Sequence, residues 1–390
     1  MFSAYMWCYL WDALDEGIDQ TLDRMQEAGV GGVCIATIYH SIEHLRMHAA
    51  LGAGPRAYRQ AGAAYFQPDA DKYANTRLRP VVAEWLKSRN PLVDLGKACG
   101  EREMAMRSWT VCCHSSEMVR RRPEIGIKTA FGDVNPTWMC PLNADVGEYL
   151  RAAVEDLSSN YPFEAIELES PGFNVARHYH THIKMGLQPG PLEQFLLSLC
   201  FCESCRQGAL SADVDVEQAV GSVRDGLARW FADAQPSGET VEELLGRDAA
   251  VRSFVQWRTR WLSETIRKMR STCRCKLVVY ADRDIAGSGF DLADVASEID
   301  GAVGCCYSPE TELIDRTVGW LSGVMAGTNR LSVGLMTYPP GSPDAPTLVR
   351  HVHRVSELGV PSVHLYHYGI MPDACLTWTK QALRKPRREA

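Results

Sequence analysis

The run "FEAIELES", residues 163–170, sets two carboxylates, Glu167 and Glu169, on alternate positions of an apolar stretch. Alternate side chains of an extended strand share a face, so Ile166 and Leu168 take the opposite one. Burying a carboxylate costs free energy unless it is paired, so packing alone does not explain two of them. A structural salt bridge is the plain alternative, and it suits Glu167 better than Glu169. A second run, "CKLVVYAD" at 275–282, ends in Asp282 on the face shared with Val278 and Tyr280. Asp284 takes that place if the register is different. Two carboxylates on neighbouring strands suit glycosidic bond cleavage. One protonates the leaving oxygen, and the other attacks the anomeric carbon or activates water. Glu169 and Asp282 are the expected catalytic pair. Glu169 is assigned as nucleophile or base and Asp282 as acid, with the reverse assignment nearly as good. Glu310 and Glu312 are reserves, although acidic residues also suit the start of a helix.

Two clusters point to metal chemistry. "LCFCESCR", residues 199–206, brings Cys200, Cys202 and Cys205 within six positions. Three thiolates in one turn and a fourth from elsewhere suit tetrahedral Zn²⁺. The alternative is three unmetallated thiols beside a helix, since "PLEQFLLSL" sets Leu192, Phe195, Leu196 and Leu199 on one helical face. "ARHYHTHIK", residues 176–184, puts His178, His180 and His182 on alternate positions. These could form a second metal site. The better expectation is a lining of the active-site mouth, with His180 or His182 and Lys184 touching substrate. A solvated loop is the third reading.

The positioning elements follow from pattern. Eight short apolar runs alternate with helix-period segments: "SAYMWCYL", "GGVCIATIYH", "AMRSWTVCCH", "FEAIELES", "CKLVVYAD", "GAVGCCYS", "RLSVGLMTY" and "PSVHLYHYG". Strand-then-helix alternation implies a parallel sheet with right-handed crossovers. Eight units predict a closed (β/α)8 TIM barrel rather than an open sheet, whose Gly-rich first turn is missing after strand one. The expected organisation is one barrel domain over 1–380. It carries insertions at about 43–78 and 171–245, the second of them after strand four, and a basic tail over 381–390. Active sites of this fold lie at the C-terminal strand ends. That rule collects Trp11 and Asp12 after strand one, His40 after strand two, His114 after strand three and Tyr338 after strand seven. In strand eight it turns Ser362, His364, Tyr366 and Tyr368 inward. Carboxylates, histidines and aromatic rings together suit a carbohydrate, whose apolar faces stack on rings. Expected substrate contacts are Glu167, Trp11, His40, His114, His180, His182, Tyr338 and Tyr366.

The 390 residues are 46% hydrophobic and 23% charged, with a net charge of −7, so no basic surface recommends a nucleic-acid partner. No apolar run approaches the roughly 20 residues of a membrane span. The start, "MFSAYMWCYLWDALDEG", lacks the basic region and cleavage site of a signal peptide, which predicts a cytoplasmic protein. Fourteen cysteines are then expected to be reduced. Cys8, Cys34, Cys112, Cys113, Cys305 and Cys306 sit in apolar runs and are expected to pack as small hydrophobes. No organic cofactor is expected, and homo-oligomer formation stays open.

Taken together, "CPLNADVGEYL", "FEAIELESP" and "LCFCESCR", over roughly 130–210, resemble (β/α)8-class glycoside hydrolases. These include hypothetical glycosyl-hydrolase families and, more distantly, beta-galactosidases that carry a cysteine cluster. The resemblance implies a structural zinc on Cys200, Cys202, Cys205 and an earlier cysteine. Cys140 is the first choice for the fourth ligand, with Cys112 or Cys113 next. The chain departs from the better-known barrel glycosidases by carrying Tyr338 where they have a Glu after strand seven. It departs from the related hypothetical families by ending strand four in "ELES", where they have an Asp.

Overall fold

The computed structural model describes residues 2–47, 56–173, 186–233, 235–281 and 283–384. Asp282, His178, His180, His182 and Lys184 lie outside the described residues.

Eight parallel strands form the centre: β1 (Ser3–Cys8), β2 (Gly32–Tyr39), β3 (Ala105–Val111), β4 (Ala165–Glu169), β5 (Lys276–Tyr280), β6 (Gly301–Cys306), β7 (Leu331–Met336) and β8 (Ser362–Tyr366). Each pairs with its sequence neighbours, and β1 pairs with both β2 and β8, so the sheet closes into a barrel. All eight lie inside the runs read from sequence. Such runs are largely apolar because the lumen and the helix layer are both dry.

Helices cover the outside. Asn143 starts Ala144–Asn160 by accepting from the backbone N–H of Asp145 and Val146, as its position before an apolar helical pattern predicts. The segment after strand one, where "EGIDQTLDRMQEAG" predicts a single helix, differs from that reading. It forms two helices, Leu10–Glu16 and Ile18–Glu27, broken at Gly17, whose φ of 101° suits glycine. The pattern of "PVVAEWLKSRNPLVDLGKACGEREM", 80–104, predicts one long helix, but the α-helix spans only Pro91–Glu101, because Asn90-Pro91 starts it late.

Three additions shape the upper rim. After β2, Ile42–Leu45 pairs antiparallel with Ala57–Gln60. After β3, Gly126–Lys128 pairs with Val134–Met139. Between β4 and β5 run the helices Pro191–Ser198, Glu203–Leu210, Val216–Asp233, Val241–Arg247 and Ala249–Thr272. No described helix is long and apolar enough to cross a membrane.

The lumen is unusually polar below its mouth. Glu167 is fully buried and lies 3.0 Å from Arg107 Nε, 2.7 Å from His364 Nε2 and 2.8 Å from the Tyr280 hydroxyl that donates to it. Burial alone would raise the Glu167 carboxyl, but His364, Arg107 and Tyr280 outweigh it and hold it down to about 2. Burial dominates at His364 and lowers it. A neutral His364 can donate from Nε2 to Glu167 while Nδ1 accepts from Ser332 Oγ at 2.6 Å. Arg107 then supplies the compensating charge, and its guanidinium also lies over the Tyr5 ring at 4.5 Å. Above this layer the Trp7 indole donates to the Tyr280 hydroxyl at 2.6 Å. Gly334 makes room for that indole, since a Cβ there would sit 2.7 Å from the Trp7 ring.

Candidate active site

At the C-terminal strand ends a cavity of about 620 Å³ opens above the Glu167 layer. Its floor and inner wall are Trp7, Tyr39, Trp109, Tyr280 and Tyr366, and its outer wall includes Trp138, Phe173, Phe290 and Tyr307. Glu169, the last residue of β4, is the one carboxylate among its described lining residues. The strand alternation that put Glu167 in the lumen core therefore lifts Glu169 one pleat higher, into the cavity.

The surroundings of Glu169 are mostly aromatic. The Trp109 indole donates to Glu169 Oε2 at 2.5 Å. Burial raises the carboxyl, the Trp109 bond lowers it only in part, and the result is about 7. Two neighbouring carboxylates on one strand are thus driven apart. Glu167, beside Arg107, is held ionised, whereas Glu169, among rings, holds its proton near neutrality. Such a division is how enzymes separate acid from structural roles. Burial also pushes Tyr366 up to about 12, so it remains a protonated donor at the cavity wall.

The residues expected from sequence fall into distinct places. His40 and Tyr366 line the cavity. His114 stands behind His40: its ring stacks on His40 at 4.3 Å and on Trp138 at 4.7 Å, so it backs the rim without lining the cavity. Tyr338 has its ring 6.4 Å from that of Tyr366 and does not line the cavity. Trp11 and Asp12 do not form an open rim. Helix Leu10–Glu16 turns them inward, where both are buried. Asp12 accepts from Arg46 at 2.9 Å, and Trp11 stacks on Tyr58 at 5.3 Å, so together they fasten the hairpin whose Ile42 does line the cavity. Tyr368 is also not lumenal. Strand β8 ends at Tyr366, alternation stops there, and the Tyr368 hydroxyl donates to Glu16 at 2.7 Å. Asp284 caps Ile285–Ser288, and Glu310 and Glu312 occupy the start of Thr311–Val324, as the helix-start reading had it.

Sequence reading missed Trp7, Trp109 and Tyr39, and it set Tyr280 on the face of Asp282 without a role in the site. Tyr39 lies off the parity of lumenal Cys34 and lines the cavity past the register shift between Ala36 and Ile38. Trp7 and Trp109 have the lumenal parity of their strands, so parity applied to the aromatic residues would have found them. It also took Cys305 as a packed hydrophobe, whereas Cys305 is exposed toward the cavity. The other five cysteines of that group are buried, and all fourteen thiols are free.

The sulfur atoms of Cys140, Cys200, Cys202 and Cys205 are buried and lie within 4.8 Å of one another. Cys140 and Cys205 are 3.5 Å apart. A tetrahedral zinc with Zn–S bonds of about 2.3 Å has S–S edges of about 3.8 Å, so the four thiols could hold such an ion after small adjustments. Cys140 follows the strand Val134–Met139, and Cys202 precedes helix Glu203–Leu210, so the cluster ties the β3 hairpin to the β4–β5 segment. The backbone N–H of Lys128 points at Cys200 Sγ, 3.4 Å away. Cys112 and Cys113 stand apart from the cluster, and Cys113 contacts the Pro171 carbonyl. Cys34, Glu167 and His364 also converge, but Arg107 already supplies that group with a cation.

No protein-family model matches the chain. No curated protein sequence matches it either. Solved structures do. The PgaB (BpsB) glycoside hydrolase domain from Bordetella bronchiseptica superposes with a TM-score of 0.58 at 12% identity, covering 98% of this chain and 99% of that one. The fold is one that glycoside hydrolases use. The beta-amylase catalytic domain from Paenibacillus polymyxa gives a TM-score of 0.56 at 11% identity, covering 98% and 97%. The alpha-L-fucosidase isoenzyme 2 from Paenibacillus thiaminolyticus gives 0.52 at 11%, and this chain covers 49% of its length. At these identities the likeness concerns the barrel alone, and function must be argued from the site.

Proposed function

We propose that this chain is a glycoside hydrolase in which Glu169 is the general acid. The observation that carries the reading is a carboxyl near pKa 7 in the wall of an aromatic cavity at the C-terminal barrel end. A group that keeps its proton near neutral pH is suited to protonate a leaving glycosidic oxygen, and less suited to attack carbon. This reverses the roles first assigned from sequence: Asp282 becomes the nucleophile or base. Ala281, its neighbour in sequence, lines the cavity. The rings of Trp7, Trp109, Trp138 and Tyr366 offer faces for a sugar, and His40 and the tyrosine hydroxyls offer polar partners. In the same reading, Cys140, Cys200, Cys202 and Cys205 hold a structural zinc ion that anchors the outer wall. The histidine segment, on which a metal-dependent hydrolase would rest, lies outside the described residues.

The test uses leaving groups. Glu169→Gln should lose about 10²-fold or more in kcat/KM on glycosides with poor leaving groups. It should lose far less on dinitrophenyl glycosides, whose leaving group needs no proton. Equal losses on both would reject the acid role. A second reading, a sugar-binding barrel without turnover, draws on Glu169 being the only described carboxylate in the cavity. Saturable binding of oligosaccharides by wild type with no hydrolysis of any glycoside in the panel would establish it instead.

A further inference from the structure

Arg258, on helix Ala249–Thr272, is 1% exposed. Its Nη2 donates to the carbonyls of Ala286 and Gly287, the second at 3.1 Å, but Nε and Nη1 have no hydrogen-bond partner. No carboxylate among the described residues forms an ion pair with it. A guanidinium cannot shed its charge, and a buried charge without a counter-ion is strongly unfavourable. Asp284 acts on it without forming an ion pair, and further negative charge near Arg258 would offset its burial.

The four-cysteine cluster is a second neighbour that can supply that charge. Phe254, one turn before Arg258, stacks at 4.8 Å on Phe201, which lies between Cys200 and Cys202 in the chain. Trp257 packs against Gly208, where a Cβ would lie 2.6 Å from its ring, so the same helix presses on the helix that carries Cys205. The groups whose charge acts on Arg258 are, in order, Cys205, Cys200, Asp284 and Cys140. Four neutral thiols would leave the guanidinium with Asp284, which makes no ion pair with it. Four thiolates around a divalent cation carry a net charge of −2, which it would offset.

Arg258 also reaches the cavity. Its guanidinium lies over the Phe173 ring at 4.8 Å, and the Phe173 N–H donates to the Ser288 carbonyl at 2.8 Å. Phe173 and Ser288 both line the cavity. The Gly287 carbonyl that Arg258 holds also lies 3.4 Å from Ser198 Oγ, two residues before Cys200.

We propose that Arg258 is the counter-ion of a four-thiolate metal centre and couples that centre to the cavity wall at Phe173 and Ser288. The inference rests on the structural-zinc reading above, and it concerns a residue outside the catalytic group. Zinc binding would displace the thiol protons to solvent as the four sulfur ligands ionise.

The experiment loads the full chain with zinc and follows its release to a chromogenic chelator. Arg258→Met should release zinc about 10-fold faster or more, as loss of a supporting outer partner does, and Arg258→Lys should fall between it and wild type. Phe173→Leu keeps the thiols and Arg258, so it should release zinc like wild type. Hydrogen exchange should rise at 171–173 and 286–290 in Arg258→Met and in zinc-stripped wild type. Equal release rates in wild type and Arg258→Met, with zinc bound by both, would overturn the role of Arg258 and leave the metal centre standing. A wild-type chain that takes up neither zinc nor cadmium would overturn the metal centre and the inference together. Neither outcome touches the acid role of Glu169, which the leaving-group comparison decides.

Discussion

Replacing Glu169 by glutamine should cost activity and increase stability, and the gain should depend on pH. The carboxyl is raised from an ordinary 4.5 to about 7 in the folded chain. A group whose folded pKa lies above its unfolded value favours folding when protonated. Its contribution is fully present below about pH 4.5 and is lost as pH rises through 7. At about 1.4 kcal/mol per pKa unit, the whole penalty is about 3.5 kcal/mol once the pH is well above 7. Glutamine keeps the shape and an acceptor for the Trp109 indole, and it never ionises. Urea unfolding of wild type and Glu169→Gln at pH 4.5 and pH 8.5 measures the difference. The variant should be close to wild type at pH 4.5 and more stable by about 3 kcal/mol at pH 8.5. The same samples, assayed on poor-leaving-group glycosides, should show the variant inactive at both. A stability difference that is the same at the two pH values would refute the claim that Glu169 is held protonated by its surroundings. A variant less stable at pH 8.5 would show that the Glu169 carboxylate is a stabilising partner.

Other expectations follow from neighbouring residues. Trp109→Phe removes the bond that holds the Glu169 pKa down, so the alkaline limb of the kcat/KM profile should move up by about one pH unit. Glu167→Gln leaves Arg107 buried beside a neutral partner and should destabilise the chain by about 3–5 kcal/mol in urea unfolding. Because its folded value is about 2, the contribution of Glu167 is present above about pH 4.5 and fades as pH falls through 2, which acid titration of wild type against that variant would show. Cys205→Ser should abolish one-to-one zinc retention after dialysis, measured by metal analysis, while Cys112→Ser should not change it.

The barrel was legible because its signal is local. Each β-strand is a short apolar run, each outer helix has its own period, and eight repeats of the pair leave few closed architectures. The four-cysteine cluster was also within reach, since three of its members lie in one turn and the fourth was chosen through resemblance. The site was only half legible. Parity along one strand distinguished Glu167 and Glu169 from Ile166 and Leu168, because alternation is a property of the backbone. It could not tell the two glutamates apart. Their difference depends on Arg107 and His364 at one level and Trp109 at the next, contributed by strands 60 to almost 200 residues away in sequence.

Rim residues such as Trp11 and Asp12 were misplaced for a related reason. A strand ends where its hydrogen-bonded neighbours end, and the chain beyond it follows whatever caps or buries it. For Asp12 that partner is Arg46, from another loop. The sequence by itself determined the alternation, the number of units and the residue types available at the mouth, since these are set by backbone geometry and side-chain chemistry. Only the tertiary structure decided which carboxylate is ionised and which keeps its proton, because a pKa is set by the charges and the water that folding places around a group.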